Sequence, residues 1–189
     1  ENGRSVPGTR LRIAHTPESD AAWFARFAPG IAAGPQRGAT LGERMAAAGY
    51  FVLLPDMFWR LGPYPPIDLA VAFGSPEGRQ MFRETYFSST DPVRAMADTG
   101  VFLDWLAQQP QARPGALGVT GYCMGGALTI LSLAMAPEAD AGVVWYGLPP
   151  LEFVDATQIK APMMAHWAEQ DGAFPIATVD PLEAKLKAA

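Results

Sequence analysis

The chain has little of what several functions require. It holds one cysteine, Cys123, and two histidines, His15 and His166, in 189 residues. One cysteine closes no internal disulfide, and with two histidines it does not complete a tetrahedral zinc site, so neither is expected. Basic residues are the minority: 14 Lys and Arg against 19 Asp and Glu give a net charge of −5. Binding a phosphate backbone needs clustered Lys and Arg, so nucleic acid is excluded as a partner. No apolar run approaches the roughly 18 residues that cross a bilayer, and the first residues show no apolar stretch behind a basic start. The expectation is a reduced, cytoplasmic domain with no membrane span and no secretory leader. What is present is a globular mixture, 49% hydrophobic and 17% charged. It is long enough for one domain with a sizeable core.

The chain reads as an unusual beginning followed by an orderly remainder. Residues Glu1 to Thr40 carry five Arg, no Lys and three acids, and are rich in Ala, Gly and Pro. Only Leu11 and Ile13 alternate there, as one short strand. From Leu41 the pattern changes. Leu41 to Ala48 spells a short helix stopped by Gly49. Tyr50 to Leu54 is a continuous apolar run ended by Pro55, which suits a fully buried parallel strand. Pro63 to Pro76 reads as a loop punctuated by proline and glycine. Asp91-Pro92 is a helix start, with Asp as N-cap and Pro at the first position, leading through Val101 and Leu103 towards Ala107. Ala116 to Thr120, Gly142 to Tyr146 and Pro162 to Trp167 read as further buried strands. Leu128, Leu131 and Met135 share one face of a helix stopped by Pro137, and Leu182 and Leu186 mark a last amphipathic helix. Strands alternating with helices predict an α/β fold built on a mostly parallel sheet flanked by helices.

The chemistry concentrates in Gly121-Tyr122-Cys123-Met124-Gly125-Gly126, between a strand and a helix. The pattern is that of a nucleophile elbow, G-x-nucleophile-x-G, with cysteine where serine is commoner. A turn this sharp strains the central residue, and side chains beside it would collide with the strand and helix. It lifts a nucleophile to the carboxyl edge of the sheet at a helix N-terminus. There the amide of Met124 points at an oxyanion and the helix dipole favours a thiolate. The loop lacks both the GK[ST] ending and the G-x-G-x-x-G spacing of phosphate cradles. Alone, a cysteine is more often a buried packing residue; the glycine spacing argues for the functional reading.

Asp171 follows the strand Pro162 to Trp167 in the loop Ala168 to Gly172, at the same sheet edge. A triad acid belongs there, after the nucleophile in chain order. The plainer reading is an Asp that fixes a turn before Gly172. A general base is missing after Asp171. His166 lies in the strand itself and reads as a partly buried strand residue or, alternatively, a substitute base; His15 has no positional argument. Arg79, Arg83 and Tyr86 lie where an anionic substrate could be bound, against the blander reading of a solvated helix face.

Taken together, Ala48-Gly-Tyr-Phe-Val-Leu-Leu-Pro-Asp56, Met96-Ala-Asp98, Gly118 to Gly126, Trp145-Tyr-Gly147, Gln170-Asp171 and Phe174-Pro175 resemble the dienelactone hydrolases. These are a cysteine-nucleophile branch of the α/β-hydrolase fold, and the resemblance covers roughly Leu41 to Ala189. It implies hydrolysis of lactones and related esters by a Cys-His-Asp triad without cofactor, with Cys123 as nucleophile, Asp171 as acid and the Met124 amide as an oxyanion donor. The family's histidine lies on a loop after one more strand, past the end of this sequence. The family also has a strand leading to a loop with an acidic residue near the cysteine. Here Phe27-Ala-Pro-Gly-Ile31 resembles that loop, with Phe27 at the acidic position and no credible strand in Ser19 to Arg26. The expectation is therefore a fold incomplete at both ends, with residues 1–40 atypical.

Two principal readings follow. The first is a hydrolase of small lactones or activated esters, whose partner is a small-molecule substrate. The second is a catalytically inactive fragment or degenerate hydrolase that at most binds ligands or self-associates. A weaker third is a thiol redox sensor built on Cys123.

Overall fold

The structure, a computed structural model, describes residues 11–14, 41–61, 64 and 68–189. The chain divides into two compact units, residues 1–91 and 92–189.

In the first unit, β1 (Leu11–Ala14) pairs antiparallel with β2 (Val52–Pro55), Ala14 opposite Val52 and Leu11 opposite Pro55. Between them in sequence lies α1 (Leu41–Ala47). It ends at Gly49, whose φ of 95° is left-handed. Gly49 N–H donates to Ala46 O and Tyr50 N–H to Met45 O, the paired bonds of a Schellman turn. That turn leaves Tyr50 63% exposed. The expected buried parallel strand is thus shorter, antiparallel among the described residues, and buried only at Val52, which packs on Ala46.

The segment read as a loop before Pro76 contains α2 (Leu69–Gly74). Asp68 explains it: its Oδ1 accepts from Ala70 N–H (2.9 Å) and Val71 N–H (3.3 Å), satisfying two amides that a short helix would otherwise leave bare. Ser75 caps α3 (Pro76–Thr85) in the same way, through Gly78 N–H at 3.0 Å. Phe82 and Tyr86 join Ala72, Phe58, Leu61 and Tyr64 in an aromatic core whose rings meet mostly edge to face. Asp56 Oδ1 accepts from the Tyr64 hydroxyl at 2.6 Å at its margin.

In the second unit, α4 (Pro92–Ala107) opens at Pro92, as the Asp-Pro pair predicts. There follow β3 (Gly118–Tyr122), α5 (Met124–Met135), β4 (Ala141–Trp145), β5 (Met163–His166) and α6 (Ile176–Lys187). The strands form a parallel sheet in the order β3-β4-β5, with Tyr122, Trp145 and His166 aligned at its carboxyl end. Asp140 ties the other end: Leu117 N–H donates to its Oδ2 (2.7 Å) and its own N–H donates to Leu117 O (2.8 Å). Helix α5 packs on β3, β4 and α4. Its Leu133 lies so close to β4 that a Cβ on Gly142 would stand 2.6 Å from Leu133 Cδ1. Leu103, Leu117, Leu133, Ala136 and Ala139 form the core beneath.

Two expectations change here. Six consecutive residues of α5, Thr129 to Ala134, are buried, so the helix has no single buried face; Leu128 is half-buried and Met135 is 41% exposed. The buried hydroxyls of Thr129 and Ser132 are satisfied by the carbonyls of Gly125 (2.9 Å) and Leu128 (2.7 Å). Strand β5 is not fully buried: Met164 is 59% exposed and His166 exposed. They lie on the sheet face away from α5, in register with Val143 and Trp145. No helix among the described residues is long and apolar enough to cross a membrane.

Candidate active site

Strand β3 ends at Tyr122, two residues further than its apolar pattern suggests, so the chain turns at a single residue, Cys123. Its φ of 54° and ψ of −115° fall where L-residues rarely go. Such strain persists only where the surroundings dictate it, and here they do. The Cys123 N–H donates to Trp145 O at 2.9 Å, continuing the parallel ladder, while its carbonyl accepts the first helical bond from Ala127 N–H at 3.1 Å. The residue is the last of the strand and the cap of the helix at once. The amides of Met124, Gly125 and Gly126 precede that first helical bond, and among the described residues they have no backbone acceptor. The thiol is exposed beside them.

The glycines do unequal work. A Cβ on Gly121 would stand 2.2 Å from Gly125 O, and one on Gly126 would stand 2.7 Å from Trp145 O; both positions admit no side chain. A Cβ on Gly125 meets nothing within 4 Å, so the close approach needs its backbone and not its lack of a side chain. A fourth glycine completes the contact: a Cβ on Gly147 would lie 1.9 Å from Cys123 O. Sequence spacing around Cys123 does not reveal Gly147, although the triplet Trp145-Tyr-Gly147 after a strand was its available signal.

Asp171 follows β5, so the parallel register sets its loop at the same sheet edge as Cys123, two strands away. Half-buried, it fixes the turn: Oδ1 accepts from Ala173 N–H (2.7 Å) and Phe174 N–H (3.0 Å). Its Oδ2 makes no hydrogen bond among the described residues. The structure does not bring His166 to Cys123. Its imidazole stacks on the Trp145 indole with centroids 4.3 Å apart and planes 15° apart, and Trp145 in turn stacks on Tyr122 at 5.5 Å. Strand β4 thus separates His166 from β3, two strand spacings or about 10 Å of backbone.

Of the candidate anion-binding residues, Arg79 is exposed and its Nη1 donates to Phe73 O at 2.9 Å, Arg83 is exposed, and Tyr86 is buried in the aromatic core. His15 and Phe27 lie outside the described residues. No group of three or more His, Cys, Asp or Glu among the described residues could hold a metal ion.

The profile of the dienelactone hydrolase family covers residues 30–189. The chain belongs to that family. Within the dienelactone hydrolases it is 30% identical over 156 residues to the "Putative carboxymethylenebutenolidase" of Methylorubrum extorquens, covering 78% of this chain and 50% of that protein. It is 28% identical over 147 residues to the "Carboxymethylenebutenolidase homolog" of Xenopus tropicalis, covering 78% and 54%. The crystal structure of a "Putative Dienelactone Hydrolase" from Klebsiella pneumoniae superposes with a TM-score of 0.63 at 25% identity, over 79% of this chain and 62% of that one. The chain spans about half the length of the curated relatives it matches.

Proposed function

We propose that this chain acts on small lactones or activated carboxylic esters with Cys123 as the nucleophile. The observation that supports this most directly is the left-handed backbone of Cys123 at the strand-to-helix junction, with the cysteine exposed beside amides that have no backbone acceptor among the described residues. The Sγ thiolate attacks the ester carbonyl carbon, forming a C–S bond while the carbonyl electron pair moves onto oxygen. The Met124 amide donates to that oxyanion. Collapse breaks the C–O bond and expels an enolate or phenolate, which needs little protonation, and leaves a thioester on Cys123. Water must then cleave the thioester, and that step needs a general base. Asp171 is suited to orient such a base, since its Oδ1 is held by the turn and its Oδ2 is available to an imidazole.

A second reading is favoured by the position of His166. With β4 between it and β3, His166 is badly placed to activate water at Cys123, so the residues described acylate and then stop. Rapid mixing of the chain with an activated aryl ester, beside Cys123→Ala, separates the readings. A burst of one equivalent without turnover is expected. Sustained Cys123-dependent turnover would instead show that a base within the chain serves Cys123, with His166→Ala testing whether it is His166, and no reaction above the C123A background would remove the hydrolase reading altogether.

A further inference from the structure

The carbonyl of Cys123 and the N–H of Met124 belong to one planar peptide unit, so whatever fixes the carbonyl also aims the oxyanion donor. The carbonyl is met by the backbone of Gly147, where a Cβ would stand 1.9 Å from the oxygen and 2.5 Å from Ala127 N. The same approach is seen from the helix, where a Cβ on Gly126 would lie 2.7 Å from Trp145 O and 3.1 Å from Gly147 N. Trp145 O accepts the Cys123 N–H. The residues Trp145 to Gly147 thus hold the peptide on either side of Cys123, one through a hydrogen bond and the other through contact. Between them Tyr146 has a φ of 39°, left-handed and costly for a bulky residue. That turn brings Trp145 O and the Gly147 backbone to face the elbow together. These neighbours are main-chain atoms, which cannot swing aside as the tip of a side chain can.

We propose that Gly147 is a positioning residue: the Tyr146-Gly147 turn is the seat that sets the tilt of the Cys123-Met124 peptide, and with it the direction of the Met124 N–H. The kinetic part of this rests on the ester-hydrolase reading. A methyl group at 147 pushes the Cys123 carbonyl, rotates the peptide plane and turns the amide off the oxyanion, while the thiol remains reachable.

The test compares two reactions of Cys123 in the full chain. Acylation by an activated aryl ester forms C–S, breaks C–O and uses the oxyanion donor. Alkylation by iodoacetamide forms C–S, breaks C–I with loss of iodide, and uses the thiolate alone. Gly147→Ala is expected to slow acylation about 100-fold, with alkylation near the wild-type rate. Gly142→Ala, on the strand β4 that leads into this turn but facing the flexible Leu133 side chain, is expected to lower stability and leave the ratio of the two rates unchanged. Equal loss of both rates in a folded Gly147→Ala, or no loss, would overturn the proposal.

Hydrogen exchange at Ala127 supplies a readout independent of activity, because its N–H donates to the Cys123 carbonyl. Protection there should fall in Gly147→Ala while β3 amides keep theirs; unchanged protection overturns the proposal even if the wild-type chain proves inert to esters. If Gly147→Ala does not fold, Tyr146→Gly loosens the same turn without adding an atom, and the acylation-to-alkylation ratio should drop several-fold. A wild-type ratio in folded Y146G, or unchanged Ala127 protection should the wild-type chain be inert to esters, would be equally fatal.

Discussion

Cys123 and Tyr146 are the only described residues other than glycine with positive φ, and they stand at neighbouring ends of β3 and β4. Each donates its N–H to the last residue of the next strand, Cys123 to Trp145 and Tyr146 to His166, before the chain leaves the sheet. At a position of this kind the usual ranking of small residues inverts. Alanine normally exceeds glycine in stability because it has less unfolded-state freedom to lose, but here its Cβ carries the left-handed penalty. Cys123→Gly is therefore expected to unfold at higher urea than Cys123→Ala, by about 1 kcal/mol, with both variants inert to esters. The reverse order would mean that the elbow is not strained. Cys123 was legible in the sequence because glycines at fixed spacing around a nucleophile have a steric cause. Gly147 was not, since its role depends on a contact between two strand ends that local spacing does not encode. The plainer reading of Asp171, a turn fixed through Oδ1, is seen directly, and it is compatible with the triad role proposed for its other oxygen.

At the scale of elements, α5 is the axis of the second unit. Ile130 has no exposed surface and Met135, one and a half turns further, is 41% exposed. Ile130→Ala should cost about 2–5 kcal/mol in denaturant unfolding, through lost burial and the cavity left behind. Met135→Ala should fall within about 0.5 kcal/mol of wild type. Similar losses would mean that α5 is not packed as described. The elements with strong punctuation were readable: Gly49 ended α1, Pro92 opened α4 and the elbow separated β3 from α5. Errors arose where a local bond or a neighbour outside the sequence window decided the outcome. The Asp68 cap made a helix of residues read as loop, and apolar composition alone did not show that β5 is largely exposed, at Met164, Ala165 and His166. The strand Tyr50 to Leu54 had the composition of a buried parallel strand, but β1 supplied an antiparallel partner.

For the whole chain, the net charge of −5 and the lack of clustered bases predict no saturable binding to a fluorescent DNA duplex at physiological salt. A clear anisotropy rise that salt abolishes would contradict this. Family membership was legible from the elbow and its flanking strands, and the matched region extends further towards the N-terminus than the residues that suggested it, to residue 30 in place of 41.

The order β3-β4-β5 has a consequence for how the second unit forms. Each strand pairs with the one made just before it, with partners such as Thr120 and Val143 only 23 residues apart. Closing loops of that size costs little more than closing shorter ones, since the entropy grows only with the logarithm of length. In the order of synthesis, β4 therefore has its partner β3 already made when it is itself complete, and β5 has β4. The backbone that seats the elbow, Trp145 to Gly147, comes with the second strand and not the first.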